Sequence, residues 1–246
     1  MKEVFFKALR KGFYFMDKFD LTRLIVALVV FLITIIYLVN KTILKGKIFT
    51  TRIITRVAIF GAISAVLYIV PYLKFAVPFF PSFLEIHFDE IPATIAGFAY
   101  GPLVGFLVIL VKTLIKLPFS STLMVGELTD FIYGSMLVVI SSMIYKKHRN
   151  IKGALLGFLI AILIQVVASG FITTYLILDF YIFMMGFPKN AILGMCQRIN
   201  PNVTNLGWPF FFYVALPFNA FKDAIIFALT FVLYKQTHKI IDKITK

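Results

Sequence analysis

One cysteine, Cys196, among 246 residues excludes an internal disulfide and any site built from several thiolates. Three histidines, His87, His148 and His238, stand far apart, so no metal site is expected. Charge is scarce: charged residues make up 15% of the chain, against about 25% in soluble domains. Acidic residues are scarcest, with 11 against 25 lysines and arginines. H-E-x-x-H, G-x-S-x-G and G-x-x-x-x-G-K-[ST] are missing, which leaves no motif for metal hydrolysis, acyl transfer or nucleotide hydrolysis. The chain is therefore expected not to be an enzyme and to hold no resident cofactor. Any ATP that drives it is hydrolysed on another subunit.

What is abundant is grease. Hydrophobic residues reach 61% and aromatics 17%, with a mean hydropathy of +0.95. A soluble domain of this size needs a polar shell that this composition cannot supply. The expectation is an all-α, polytopic membrane protein. Seven apolar stretches are present: Leu21–Val39, Ile53–Tyr72, Ile91–Tyr100, Leu103–Leu117, Leu128–Tyr145, Gly153–Phe187 and Trp208–Tyr234. Ile91–Tyr100 is too short to cross alone; it either borrows from the preceding FLEIHFDE or is a broken span buried in protein. Gly153–Phe187 exceeds one span and predicts a tilted helix with an ordered extension past Asp179.

Basic residues set the orientation. Thirteen of them fall in three places: Lys41 to Arg56, Lys146 to Lys152, and Lys235 to Lys246. With six crossings from Ile53 onward all three lie on one side, which is therefore cytoplasmic. The division is thus residues 1–50, a basic leader plus an extra hydrophobic helix, and residues 51–246, a six-helix membrane domain. The leader, with Lys2, Lys7, Arg10 and Lys11, fits this topology poorly.

Ionisable residues within apolar stretches face a cavity or a partner. Asn219 and Lys222 are three apart and share a helix face, suited to a polar heterocycle carrying several carbonyls. Glu127 and Asp130 repeat the spacing at a helix start, where capping is the alternative role. Lys222 paired with Asp130 or Glu127 would instead tie helices together. Lys112 and Lys116 read equally well as snorkelling side chains. Gln165, Ser169, Thr173, Thr174 and Tyr175 add polar groups to the long stretch. Pro71, Pro78 and Pro81 forbid a continuous helix through an aromatic loop whose Phe75, Phe79, Phe80 and Phe83 form either an interfacial belt or a lid over a planar ligand. Ala58 and Ala62 form a small-x-x-x-small pair, with Gly61 and Ala65 one face over, and either pair permits close helix contact.

Several segments together carry a family resemblance: VPFFPSFLEIHFDEIPATIAGFAYGPLVGFLVILVKTLIK, VGELTDFIYG, IYKKHRNIKGALLG, INPNV and LPFNAFKDAI. From about Arg52 onward, over roughly 195 of 246 residues, the chain resembles the substrate-binding S components of energy-coupling factor (ECF) transporters, most closely the riboflavin-specific ones. The resemblance implies a six-helix S component of the bacterial plasma membrane that binds riboflavin as transported ligand. It also implies docking on a membrane T component with two cytosolic ATPases. By the same resemblance Asn219 and Lys222 contact the vitamin, as do Glu127, Asp130, Thr174 and Tyr175. Phe75, Pro78 and Phe79 close the pocket, and Ala58 and Ala62 meet the T component. The chain departs from the riboflavin pattern at three places. G-E-L-A-N-F appears with Asp130 for asparagine, an Asn-Tyr pair appears as Thr174-Tyr175, and His87 stands where aspartate is usual. These changes favour free riboflavin over its phosphate and leave room for another flavin or vitamin. An ion-coupled transporter working alone, or a membrane-embedded enzyme using Glu127, Asp130 and Lys222, are the alternatives from other classes.

Overall fold

The computed structural model describes residues 50–183 and 185–245. The basic leader and extra helix expected over residues 1–50 lie, apart from Thr50, outside the described residues. Helix α1 (Thr51–Ile69) starts where the Thr50 side chain accepts the Ile53 amide, a standard way to satisfy a free helix-end donor. It ends just before Pro71, whose ring cannot continue a helix. The proline-bearing segment that follows is a small antiparallel ribbon, β1 (Lys74–Ala76) on β2 (Glu85–His87), with Phe75 opposite Ile86.

Helix α2 (Glu90–Tyr100) has eleven residues, about 16 Å at 1.5 Å each, half a bilayer core. Of the acidic segment before it, it takes only Glu90 into the helix, and Glu85–His87 is strand. It is instead the buried broken span, with nine of its residues enclosed by neighbours. Gly101 turns the chain at φ +100°, and Pro102 opens α3 (Pro102–Lys116). The two run back together as a hairpin. A Cβ on Gly105 would sit 3.0 Å from both the Gly97 Cα and the Ala93 carbonyl oxygen, so glycine is what lets them touch.

Helices α4 (Val125–Lys147) and α5 (Ile151–Ile172) follow. The rod of α5 continues through a π turn, Thr173–Ile177, into α6 (Leu178–Phe183). The long apolar stretch is therefore one helical rod of 33 residues. An amphipathic α7 (Lys189–Ile199) buries Ile192 and Cys196 against the end of the bundle. One turn, α8 (Trp208–Phe210), and a second π turn, Phe211–Ala215, lead into α9 (Leu216–Thr245). Among the described residues, five helical stretches are long and apolar enough to cross a membrane. With α2 and its strand as the remaining crossing, the basic ends group as the charge pattern requires. Arg56 lies 4.0 Å over the Tyr100 ring, placing the Gly101 turn at the basic end.

At that end Phe98, Tyr145, Phe158 and Tyr234 stack as one core, with the Tyr145 and Tyr234 hydroxyls 2.9 Å apart. The opposite end is closed by Leu178, Ile192, Cys196, Phe210 and Val214. Between the two lies the polar cavity.

Candidate functional site: a charged cavity under an aromatic hairpin

A cavity of about 190 Å³ opens between α1, α3, α4, the first π turn with α6, and α9, with the β-hairpin across it. Its wall brings together Glu127 and Asp130 from α4 with Asn219 and Lys222 from α9. The three-residue spacings put each pair on one helix face, and the bundle turns both faces inward.

Lys222 is buried, with its ammonium 3.5 Å from Glu90 and 3.6 Å from Asp130. Asp130 also meets His87 Nε2 at 3.0 Å, while His87 Nδ1 is bonded to Asp89. Asp89 is in turn paired with Lys112, which is fully enclosed and therefore does not snorkel. Lys112 also lies 4.6 Å over the Tyr68 ring. Lys116 is half-buried, lines the cavity and donates to the Phe119 carbonyl at 3.1 Å. The charges form a chain across four elements, β2, α2, α3 and α4, ending on α9. Desolvated ions are tolerated at such a site only because each meets an opposite charge.

Glu127 is used differently. It accepts from the Ser120 hydroxyl at 2.6 Å and from Thr122 at 3.0 Å, so one of its oxygens anchors the α3–α4 connection. Asn219 donates to the Ala215 carbonyl at 2.7 Å, satisfying an acceptor in the second π turn. Tyr133 ties down the entry to the first, its hydroxyl donating to the Ser169 carbonyl at the end of α5 at 3.2 Å and lying 3.0 Å from Thr173 Oγ1. Both π turns are thus held by side chains of the cavity wall, consistent with the tendency of π turns to mark functional sites.

The hairpin is fastened at two levels. Phe80 packs edge-on to Phe218 at 5.3 Å and tilted to Phe221 at 5.9 Å, and Phe79 meets Phe221 at 5.4 Å. Those α9 rings flank Asn219 and Lys222 in sequence. Lower down, Lys74 bonds Glu85 across the strands at 2.8 Å.

The family model for the ECF transporter substrate-specific component matches residues 52–234. The chain belongs to this family. Among curated relatives, the riboflavin transporter RibU of Staphylococcus aureus is 26% identical over 189 residues, covering 77% of this chain and 93% of the relative. The riboflavin transporter FmnP of Bacillus subtilis is 23% identical, covering 74% and 93%. Lactococcus lactis RibU is 27% identical over 198 residues, covering 77% and 94%. A solved S component of a bacterial ECF transporter superposes with a TM-score of 0.59 at 25% identity, covering 77% of this chain and 97% of that one. The protein is a multi-pass membrane subunit of a bacterial cell.

In this S component not every residue singled out from the sequence reaches the cavity. Thr174 is buried with its hydroxyl unpartnered, and of the two adjacent threonines it is Thr173 that lines the cavity. Tyr175 is exposed and stacks on Phe171, with Trp208 edge-on at 6.0 Å. Phe75, Pro78 and Phe79 sit on the outer side of the hairpin, exposed. Ala58 and Ala62 face outward beside exposed Ile59 and Ile63, whereas Gly61 and Ala65 turn inward, with Gly61 against Val111 of α3. Asp89, Glu90 and Tyr68 were not singled out. The signal for the two acids was an Asp-Glu pair directly before an apolar segment too short to span.

Proposed function

We propose that this S component captures riboflavin on the outer side of the membrane and delivers it for import driven by ATP hydrolysis on partner subunits. The observation that carries the reading is the convergence of Asn219, Lys222, Glu127 and Asp130 on one cavity roofed by an aromatic hairpin. Family membership and relatives that are riboflavin transporters support it. Asn219 and Lys222 serve the carbonyl edge of the isoalloxazine or the ribityl chain, and Glu127 and Asp130 accept from ribityl hydroxyls. The aromatic side chains of the hairpin cover the ring system. Small-molecule sites commonly measure roughly 300–1,000 Å³, so the hairpin moves outward to admit the vitamin and closes on it.

The partners are a membrane T component and two cytosolic ATPases. Ala58 and Ala62, exposed among aliphatic neighbours, offer the close approach that helix docking in lipid requires. Titration of the purified protein with riboflavin, followed by flavin fluorescence, tests the assignment. Asn219→Ala weakens binding by about tenfold or more, the scale of a lost buried hydrogen bond. Unchanged affinity in a folded variant would refute the placement.

A further inference from the structure

We infer that the contact between His87 and Asp130 is the polar tie that holds the aromatic hairpin shut, with His87 as a positioning residue that sets how fast riboflavin enters and leaves. This rests on the riboflavin reading and on the outward movement of the hairpin that the small cavity requires. One partner ends strand β2 and the other lies on α4. Both are departures from the riboflavin pattern, and the structure brings them together, His87 Nε2 lying 3.0 Å from Asp130.

The ring contacts of the hairpin with α9 are apolar: Phe80 on Phe218 and Phe221, and Phe79 on Phe221. Lys74 and Glu85 pair within the hairpin, which stiffens it without fastening it to a helix. His87 supplies the polar link to a spanning helix. Its imidazole is buried, with Nδ1 bonded to Asp89 of the β2–α2 link, Nε2 on Asp130, and the Tyr68 ring of α1 at 5.0 Å. Both carboxylates are held by the bundle: Asp89 is paired with Lys112 of α3, and Asp130 has Lys222 of α9 at 3.6 Å. The imidazole is therefore the member of the chain that the hairpin carries. It donates from one nitrogen when neutral and from both when protonated. A hydrogen bond to a carboxylate is among the stronger ones, and losing it in a desolvated site leaves the acceptor unsatisfied. Strand β2 runs into α2 through Phe88 and Asp89. A hairpin swinging outward pivots there and draws the imidazole off Asp130. Opening breaks this contact, and closing remakes it with Asp130 turned to the cavity.

The test compares His87→Gln with His87→Asn in the full-length protein in detergent, with riboflavin association and dissociation followed by stopped-flow flavin fluorescence. The glutamine amide stands where Nε2 does and reaches Asp130, whereas the asparagine amide stands where Nδ1 does and reaches only Asp89. His87→Asn raises both rates at least about fivefold, the scale of one lost hydrogen bond to a charged group, while His87→Gln stays within about twofold of wild type. A site that is merely damaged does not take up the vitamin faster, so the rise in association rate separates a tie on the hairpin from lost packing. Asp130→Ala breaks the same tie from α4, raises the association rate likewise, and serves where His87→Asn does not fold. In an Asp130→Ala background the two His87 variants agree within about twofold, because their shared target is gone. Wild-type rates in His87→Asn, or equally fast exchange in His87→Gln, overturn the inference. A dissociation rate that rises alone also overturns it, by making His87 a direct contact of the vitamin. Failure of the folded wild type to bind riboflavin is a distinct result that removes the riboflavin reading itself.

Discussion

Lys222→Met removes the ammonium shared by buried Glu90 and half-buried Asp130. The methionine keeps most of the stem, so packing changes little and the loss is electrostatic. Lys222 is 3% exposed, Glu90 1%, and Asp223 beside them 0%; with the ammonium gone, Glu90 loses its ion-pair partner and Asp130 keeps only His87. Breaking a buried pair by deleting one partner costs about 3–5 kcal/mol. For a domain of this size that lowers Tm by about 6–20 °C. The chain carries its own reporter. Cys196 is its one cysteine, enclosed on the inner face of α7, and burial pushes its thiol up to about 11. A thiol-reactive fluorogenic dye therefore labels the protein only as it unfolds. The double variant Lys222→Met/Asp130→Asn recovers part of the loss because it removes one stranded charge. A Lys222→Met protein that melts within a degree or two of wild type refutes the view that this ammonium neutralises the cluster.

Phe80→Ala removes two of the three ring contacts that fasten the hairpin to α9, leaving Phe79 on Phe221. At about 0.5–1.5 kcal/mol for each aromatic pair, flavin dissociation accelerates at least about fivefold, read by stopped-flow fluorescence. Ala62→Trp, on the outward face of α1, abolishes co-purification with the T component while riboflavin titration of the isolated subunit still saturates. Gly105→Val forces β-branched volume between α2 and α3, where a Cβ already meets the Gly97 Cα and the Ala93 carbonyl oxygen at 3.0 Å. About 1–3 kcal/mol of overpacking lowers Tm in the same cysteine assay.

The reach of the sequence is clearest on α4 and α9. Asn219 with Lys222, and Glu127 with Asp130, lie three apart on helices, so their shared faces followed from spacing alone, and all four line the cavity. Lys222 lines the cavity and also makes one of the ties weighed for it, to Asp130. The partners of that tie were harder to find. Asp89 meets Lys112 across 23 residues, through a hairpin reversal at Gly101 that no local periodicity reports. On α5 the i, i+4 series Gln165, Ser169, Thr173 continues to the cavity, whereas Thr174 and Tyr175 step onto other faces. The π turn beginning at Thr173 then changes the helical phase, and Ile177, Leu178 and Tyr181 line the wall beyond it. The two small-residue pairs on α1 were indistinguishable by spacing; only packing shows that Gly61 and Ala65 face the bundle and Ala58 and Ala62 face out.

The central claim is that this chain alone, without T component or ATPases, binds riboflavin in the cavity between α4 and α9. Isothermal titration of riboflavin into the purified, detergent-solubilised subunit, first stripped of any yellow flavin it carries, tests that claim directly. The account predicts saturable binding of one vitamin per chain, weakened by about tenfold or more in Asn219→Ala. A folded, flavin-free subunit that takes up no riboflavin heat at saturating concentrations would contradict it.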